Sequence, residues 1–142
     1  MSHPAVRLVD IRDTPLSLKE VLCSLDDATS GGLVLFVGRV RDHDGGRSVD
    51  GLEYSAHPTA LDHLARVCAA VAEEHDVNGV AAVHRVGTLA IGDTAVVVAT
   101  TSAHRGSAFA ASRMLIDTLK AEVPIWKHQQ FGDGTEEWVG AP

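Results

Sequence analysis

Val80-Ala81-Ala82-Val83-His84-Arg85-Val86 and Thr94-Ala95-Val96-Val97-Val98-Ala99-Thr100-Thr101-Ser102 read as two successive strands joined by a loop through Ile91-Gly92-Asp93. Both runs are short, rich in β-branched residues and bounded by turn formers. A long helix follows from about Ser107 to Val123, with Phe109, Ser112, Ile116, Leu119 and Val123 along one line. Pro124 disfavours helical geometry at Val123 and stops it. Two strands in succession, then a helix, with no Gly-rich strand-to-helix turn, speak against a doubly wound sheet and for an α+β domain with largely antiparallel pairing.

The flanking segments extend this pattern. Val6 to Ile11 predicts a first strand, and Ser17-Leu18-Lys19-Glu20 has the spacing of a capping box opening a helix with Leu18, Val21, Leu22 and Leu25 on its apolar face. After the break at Ser30-Gly31-Gly32, the run Leu33-Val34-Leu35-Phe36-Val37 is apolar on both faces and predicts a central strand. A polar loop, Asp42 to Arg47, leads to a strand from Val49 to Ala56 with Leu52, Tyr54 and Ala56 on one face. Pro58 and Thr59 open a second helix, whose apolar positions Leu61, Leu64, Ala65, Cys68, Val71 and Ala72 keep the helical period up to Asn78-Gly79. Ile125 to Phe131 and Glu136 to Val139 form a terminal hairpin around Gly132-Asp133-Gly134. The expectation is one domain over residues 1–142 with three main helices.

Composition narrows the function classes. With 45% apolar and 22% charged residues among 142, the chain has a globular profile and is long enough for a real core. Cys23 and Cys68 lie on apolar helical faces and form no Cys-x-x-Cys pair, which predicts reduced core thiols in a cytoplasmic protein. The start Met1-Ser2-His3-Pro4-Ala5-Val6-Arg7 has no signal-peptide pattern, and no run is long enough for a membrane span. A net charge of -7 argues against a nucleic-acid surface and leaves a small anionic ligand as the better partner for any local cationic cluster.

Such clusters exist. His104 and Arg105 lie between a strand and a helix N-terminus, where free N–H groups and the helix dipole favour phosphate or carboxylate. A surface arginine and a structural histidine account for that spacing equally well. Lys120 in the last helical turn and Lys127 beyond Pro124 are each explained by helix-dipole or strand solvation, yet the Pro124 corner can bring both to one mouth of the sheet. Arg39 and Arg41 share a face at the end of the apolar strand, and Arg41 opens a Gly-containing loop. Eight histidines raise the question of a metal, but none has ligand spacing on a helix, so no metal site is assigned. A G-x-S-x-G elbow and a P-loop are also missing.

Taken in order, five blocks from about Gly32 to Val139 resemble the molybdopterin synthase large subunits. They are Gly38-Arg39-Val40-Arg41-Asp42-His43 followed by Leu52-Glu53-Tyr54; His84-Arg85-Val86-Gly87-Thr88-Leu89 with Gly92-Asp93; Ser102-Ala103-His104-Arg105 with Ala108-Phe109; Leu119-Lys120; and Pro124-Ile125-Trp126-Lys127. The resemblance implies an α/β-hammerhead fold and a homodimer within a heterotetramer, with a small ubiquitin-like sulfur carrier at each end. It further implies that the carrier's C-terminal Gly-Gly thiocarboxylate delivers two sulfurs to cyclic pyranopterin monophosphate, without a further cofactor. Carried over by position, the substrate site is Arg41, His104, Arg105, Lys120 and Lys127, and the catalytic pair is Lys120 and Lys127. Ser55-Ala56-His57 and Gln129 depart from the family's usual residues, and Trp138-Val139-Gly140-Ala141-Pro142 carries no arginine where relatives often have one.

Electrostatics agrees with these roles. A phosphate-bearing substrate and an anionic thiocarboxylate repel unless cations lie between them, so a buried cluster of the five residues would act by positioning and charge stabilisation. Arginine's planar fork suits the phosphate, which assigns Arg41 and Arg105 with His104 to binding, while lysine's adjustable pKa assigns Lys120 and Lys127 to the reacting centre. A non-catalytic pterin- or nucleotide-phosphate binding module is the alternative: it needs the arginines but not the two lysines.

Overall fold

The computed structural model describes residues 3–139. The readings made on Met1-Ser2 and on Gly140-Ala141-Pro142 lie outside these residues. In chain order the elements are β1 (Val6–Arg12), α1 (Leu18–Ser24), β2 (Gly32–Arg39), β3 (His43–Asp44), β4 (Arg47–Ala56), α2 (Ala60–Glu74), β5 (Gly79–Arg85), β6 (Gly87–Leu89), β7 (Thr94–Ser102), α3 (Arg105–Glu122), β8 (Ile125–Phe131) and β9 (Glu136–Val139). One sheet has the order β1-β5-β7-β2 and the other β3-β4-β8-β9, with β6 added on β4. All pairings are antiparallel except β1 with β5. This is the expected α+β architecture with three helices.

The apolar runs of β5 and β7 serve two layers. Alternation sends Val80, Ala82, Val96 and Val98 toward α2 and α3, where they meet Leu64, Cys68, Val71, Leu115 and Leu119. Ala81, Val83, Val97 and Ala99 point the other way, onto Val21 and Leu25 of α1. A sheet covered on both faces has no room for a polar alternation, which explains the continuous runs.

The strand expected at the centre lies at the edge. Among the described residues β2 pairs only with β7, and Leu33 and Phe36 are about 40% exposed. An apolar run does not by itself distinguish an edge strand from a central one. Cys68 is buried as expected, but Cys23 is exposed, because α1 turns only its Val21 and Leu25 side onto the sheet. Leu22 and Leu61, read as core-facing, are also exposed.

Half of the capping box forms. The Ser17 hydroxyl accepts from the Glu20 N–H at 3.1 Å, but the Glu20 carboxylate pairs with the Arg12 guanidinium instead of the cap. A fork-shaped, charge-assisted pair outcompetes a single bond to a backbone N–H.

α3 begins two residues earlier than expected, with His104 as its N-cap, and ends where Val123 turns to extended geometry before Pro124. Its buried line is Ala108, Ala111, Ser112, Leu115 and Leu119, while Phe109 is 60% exposed. A buried polar knot fixes it to the sheet: the Thr100 hydroxyl donates to the Ala108 carbonyl at 2.8 Å and meets the Ser112 hydroxyl at 2.8 Å, and Ser112 donates to the Val34 carbonyl at 3.1 Å. At the helix start the backbone of β2 comes so close that a Cβ on Gly32 would stand 3.1 Å from the Arg105 Cα. α3 therefore starts beside the Gly32 end of β2 and finishes beside its Gly38 end, where Gly38 pairs with Val96.

Candidate active site

The two lysines do meet. Lys120 of α3 and Lys127 of β8 line one cavity of about 160 Å³, together with Tyr54, His84, Val96, Leu119, Val123, Ile125 and Val139. The corner at Pro124 makes this possible, because β8 returns along β4 directly after the helix, with Lys127 opposite Tyr54. Lys120 is exposed at the mouth and Lys127 is partly buried. Burial is the main cause that holds the Lys127 ammonium below the usual lysine range, and the charges of Lys120 and Arg41 push the same way against Asp44.

Arg41 belongs to this end of the molecule. It lies two residues past β2 and pairs with Asp44 at 3.6 Å. Asp44 in turn accepts from the Gln129 amide at 2.7 Å, and that bond, ahead of Lys127 and Arg41, keeps its carboxyl below the ordinary range. Gln129 is buried and gives the Asp44 carboxylate a neutral amide donor, where a second carboxylate would repel it.

His104 and Arg105 do not join the cavity within one chain. They stand exposed at the N-terminus of α3, and Lys120 lies in its last turn. Fifteen residues of helix separate Arg105 from Lys120, about 22 Å along the axis. The buried five-residue cluster expected from the sequence is thus two cationic sites at opposite ends of one helix, because a rigid helix cannot fold its two ends together.

Two cavity residues were not assigned a role from spacing. Tyr54 lies edge-on to His84, with ring centroids 5.0 Å apart, and burial raises its hydroxyl pKa. His84 is buried, and its Nδ1 is 2.8 Å from the Arg85 carbonyl oxygen. Strand alternation was the available signal, since His84 follows Val80 and Ala82 on the face that turns toward α3.

A compact cavity holding two lysines at the junction of a helix and a second sheet, in a chain of net charge -7, is a local cationic site of the class suited to a small anion. More particularly, the chain belongs to the MoaE protein family, whose model matches residues 11–122. It is 43% identical to "Molybdopterin synthase catalytic subunit 1" of Mycobacterium tuberculosis over 98% of this chain and 92% of that protein. The "Molybdopterin synthase catalytic subunit" of Bacillus subtilis is 36% identical, with 92% of this chain and 83% of that one covered. Among solved structures, "Molybdopterin Synthase from Staphylococcus aureus" superposes with a TM-score of 0.86 at 31% identity, covering 94% of this chain and 97% of that chain. No helix among the described residues is long and apolar enough to cross a membrane.

Proposed function

We propose that this chain is the catalytic subunit of a molybdopterin synthase, converting cyclic pyranopterin monophosphate to molybdopterin. Two sulfurs arrive on the C-terminal Gly-Gly thiocarboxylate of a small ubiquitin-like carrier, and the chain needs no metal or cofactor of its own. The reaction is placed in the cytoplasm, where Cys23 and Cys68 stay reduced. The observation that carries this reading is the convergence of Lys120 and Lys127 on one cavity. Family membership and the names of the relatives, catalytic subunits, support it. A phosphate-binding module has no use for the lysine cavity.

In the reacting cavity the lysines place positive charge between two anions that would otherwise repel. Lys127, with its lowered affinity for a proton, is suited to give one up, and Lys120 at the mouth is suited to meet the incoming thiocarboxylate. Arg41 adds charge at the rim. His104 and Arg105 form the phosphate end, and they reach the cavity of a second copy.

The geometry of β2 supports that homodimer. Its apolar outer edge is unpaired, a template for another strand. Two β2 edges joined antiparallel about a two-fold axis would set the Gly32 end of one copy, with His104 and Arg105, beside the Gly38 end of the other, with Lys120 and Arg41.

Reconstitution tests the whole reading: the purified chain, the thiocarboxylated carrier and the cyclic precursor should together yield molybdopterin, and a carrier lacking Gly-Gly should yield none. Product formed without a carrier would refute it. Mixing tests the dimer. Arg105→Ala and Lys120→Ala chains, each inactive alone, should recover roughly a quarter of wild-type activity after subunit exchange, since half the dimers are mixed and each holds one whole site. No recovery would confine each site to a single copy.

A further inference from the structure

The two cations lining the cavity, Lys120 and Lys127, can only donate hydrogen bonds. His84 is different. Its side chain is nine-tenths or more buried, at 5% exposure, and its ring lines the cavity between Tyr54 and Val96. The Arg85 carbonyl, 2.8 Å from Nδ1, can only accept, so Nδ1 carries the hydrogen and Nε2 keeps a lone pair. No group among the described residues bonds Nε2. The charged and titratable groups around the ring are Lys120 on α3, Lys127 on β8 and Tyr54 on β4. Burial first, and then the Lys120 charge, push its pKa down to about 4, so the ring adds no positive charge near neutrality.

Among the described residues only Arg85 Nε is a buried side-chain nitrogen without a partner, so the unbonded Nε2 of His84 is open to the cavity and to whatever occupies it. An apolar ring would pack against Tyr54 equally well but would offer the cavity no acceptor. We infer that His84 is a specificity-determining residue: its Nε2 accepts a hydrogen bond from an N–H or O–H of the small-molecule substrate where that substrate enters the lysine cavity. The cavity then reads a donor on the substrate beside the lysine charges, a feature that an anion with no N–H or O–H, such as chloride, does not offer. This inference rests on the enzymatic reading above. A peptide N–H of the carrier's tail offers the same donor chemistry, and the experiment separates the two sources.

The test uses the full chain with wild-type His84, His84→Phe, which keeps the ring contact but has no acceptor, and His84→Gln, which restores an oxygen near the Nε2 position. Titrated with the cyclic precursor alone, His84→Phe should bind about five- to a hundredfold more weakly, and His84→Gln should regain part of the loss. Carrier affinity should be unchanged in both. In ¹⁵N-histidine-labelled wild type, the Nε2 resonance should move upfield on adding precursor and stay in place on adding carrier. That readout needs no variant and stands even if His84→Phe fails to fold. Wild-type precursor affinity in His84→Phe, an unmoved Nε2 resonance, or a loss seen only with carrier would overturn the inference alone. A wild-type chain that does not bind the precursor would overturn the enzymatic reading, and this one with it.

Discussion

Replacing Lys120 with alanine separates stability from chemistry. Among the described residues, the ammonium makes no ion pair or hydrogen bond, and the side chain is exposed in the last turn of α3. Its structural contribution is then the favourable charge at a helix C-terminus, about 0.3 to 1 kcal/mol. In a domain of this size that is a loss of no more than about 4–5 °C in Tm. Removing a positioned acid, base or anion anchor should lower the rate by about a hundredfold or more. Lys120→Arg should recover only part, because guanidinium keeps the charge but differs in shape and does not release a proton. Thermal melts and single-turnover dithiolene formation on the same preparations, with Lys127→Ala beside them, decide the matter. A Lys120→Ala protein that melts normally and turns over at the wild-type rate would leave only the helix-dipole role.

Two further outcomes follow from buried groups. His84 has a folded pKa of about 4 against an ordinary 6.5, so between these values the unfolded chain binds more protons and stability falls as pH drops. Relative to His84→Phe, the wild type should lose on the order of 3 kcal/mol between pH 7 and pH 4, read from denaturant unfolding at a series of pH values, and a constant difference would refute this. Ser112→Ala breaks the knot between α3, β7 and β2 and leaves the Val34 carbonyl and the Thr100 hydroxyl short of a partner, which should cost about 1–3 kcal/mol in urea unfolding. A loss below half a kilocalorie per mole, on the order of measurement scatter, would mean the knot is replaced by solvent.

Much of the site was legible because local rules govern it. Pro124 fixes the end of α3 and the start of β8, and that corner alone brings Lys120 and Lys127 together. The terminal hairpin, the Ser17 cap and the strand pair β5 and β7 follow from turn residues and apolar periods in the same way. What was not legible depends on partners distant in sequence. Glu20 turns to Arg12 rather than to its cap, and β2 lies at an edge although its composition suits a centre. His84 drew no attention by spacing because an isolated histidine acquires meaning only from what stands across the cavity. The separation of Arg105 from Lys120 was implicit in the helix length, but residues that share a task were expected to share a place within one chain.

Under the proposed pairing of two β2 edges, the protein's own concentration becomes a variable of its chemistry. If Leu33 and Phe36 are covered only by a second copy, a dilute solution holds monomers whose lysine cavities lack the arginine end of a neighbour. Specific activity would then fall on dilution and return on concentration, and a bulky label or fusion placed against that strand would silence the enzyme from a distance without touching a reacting group.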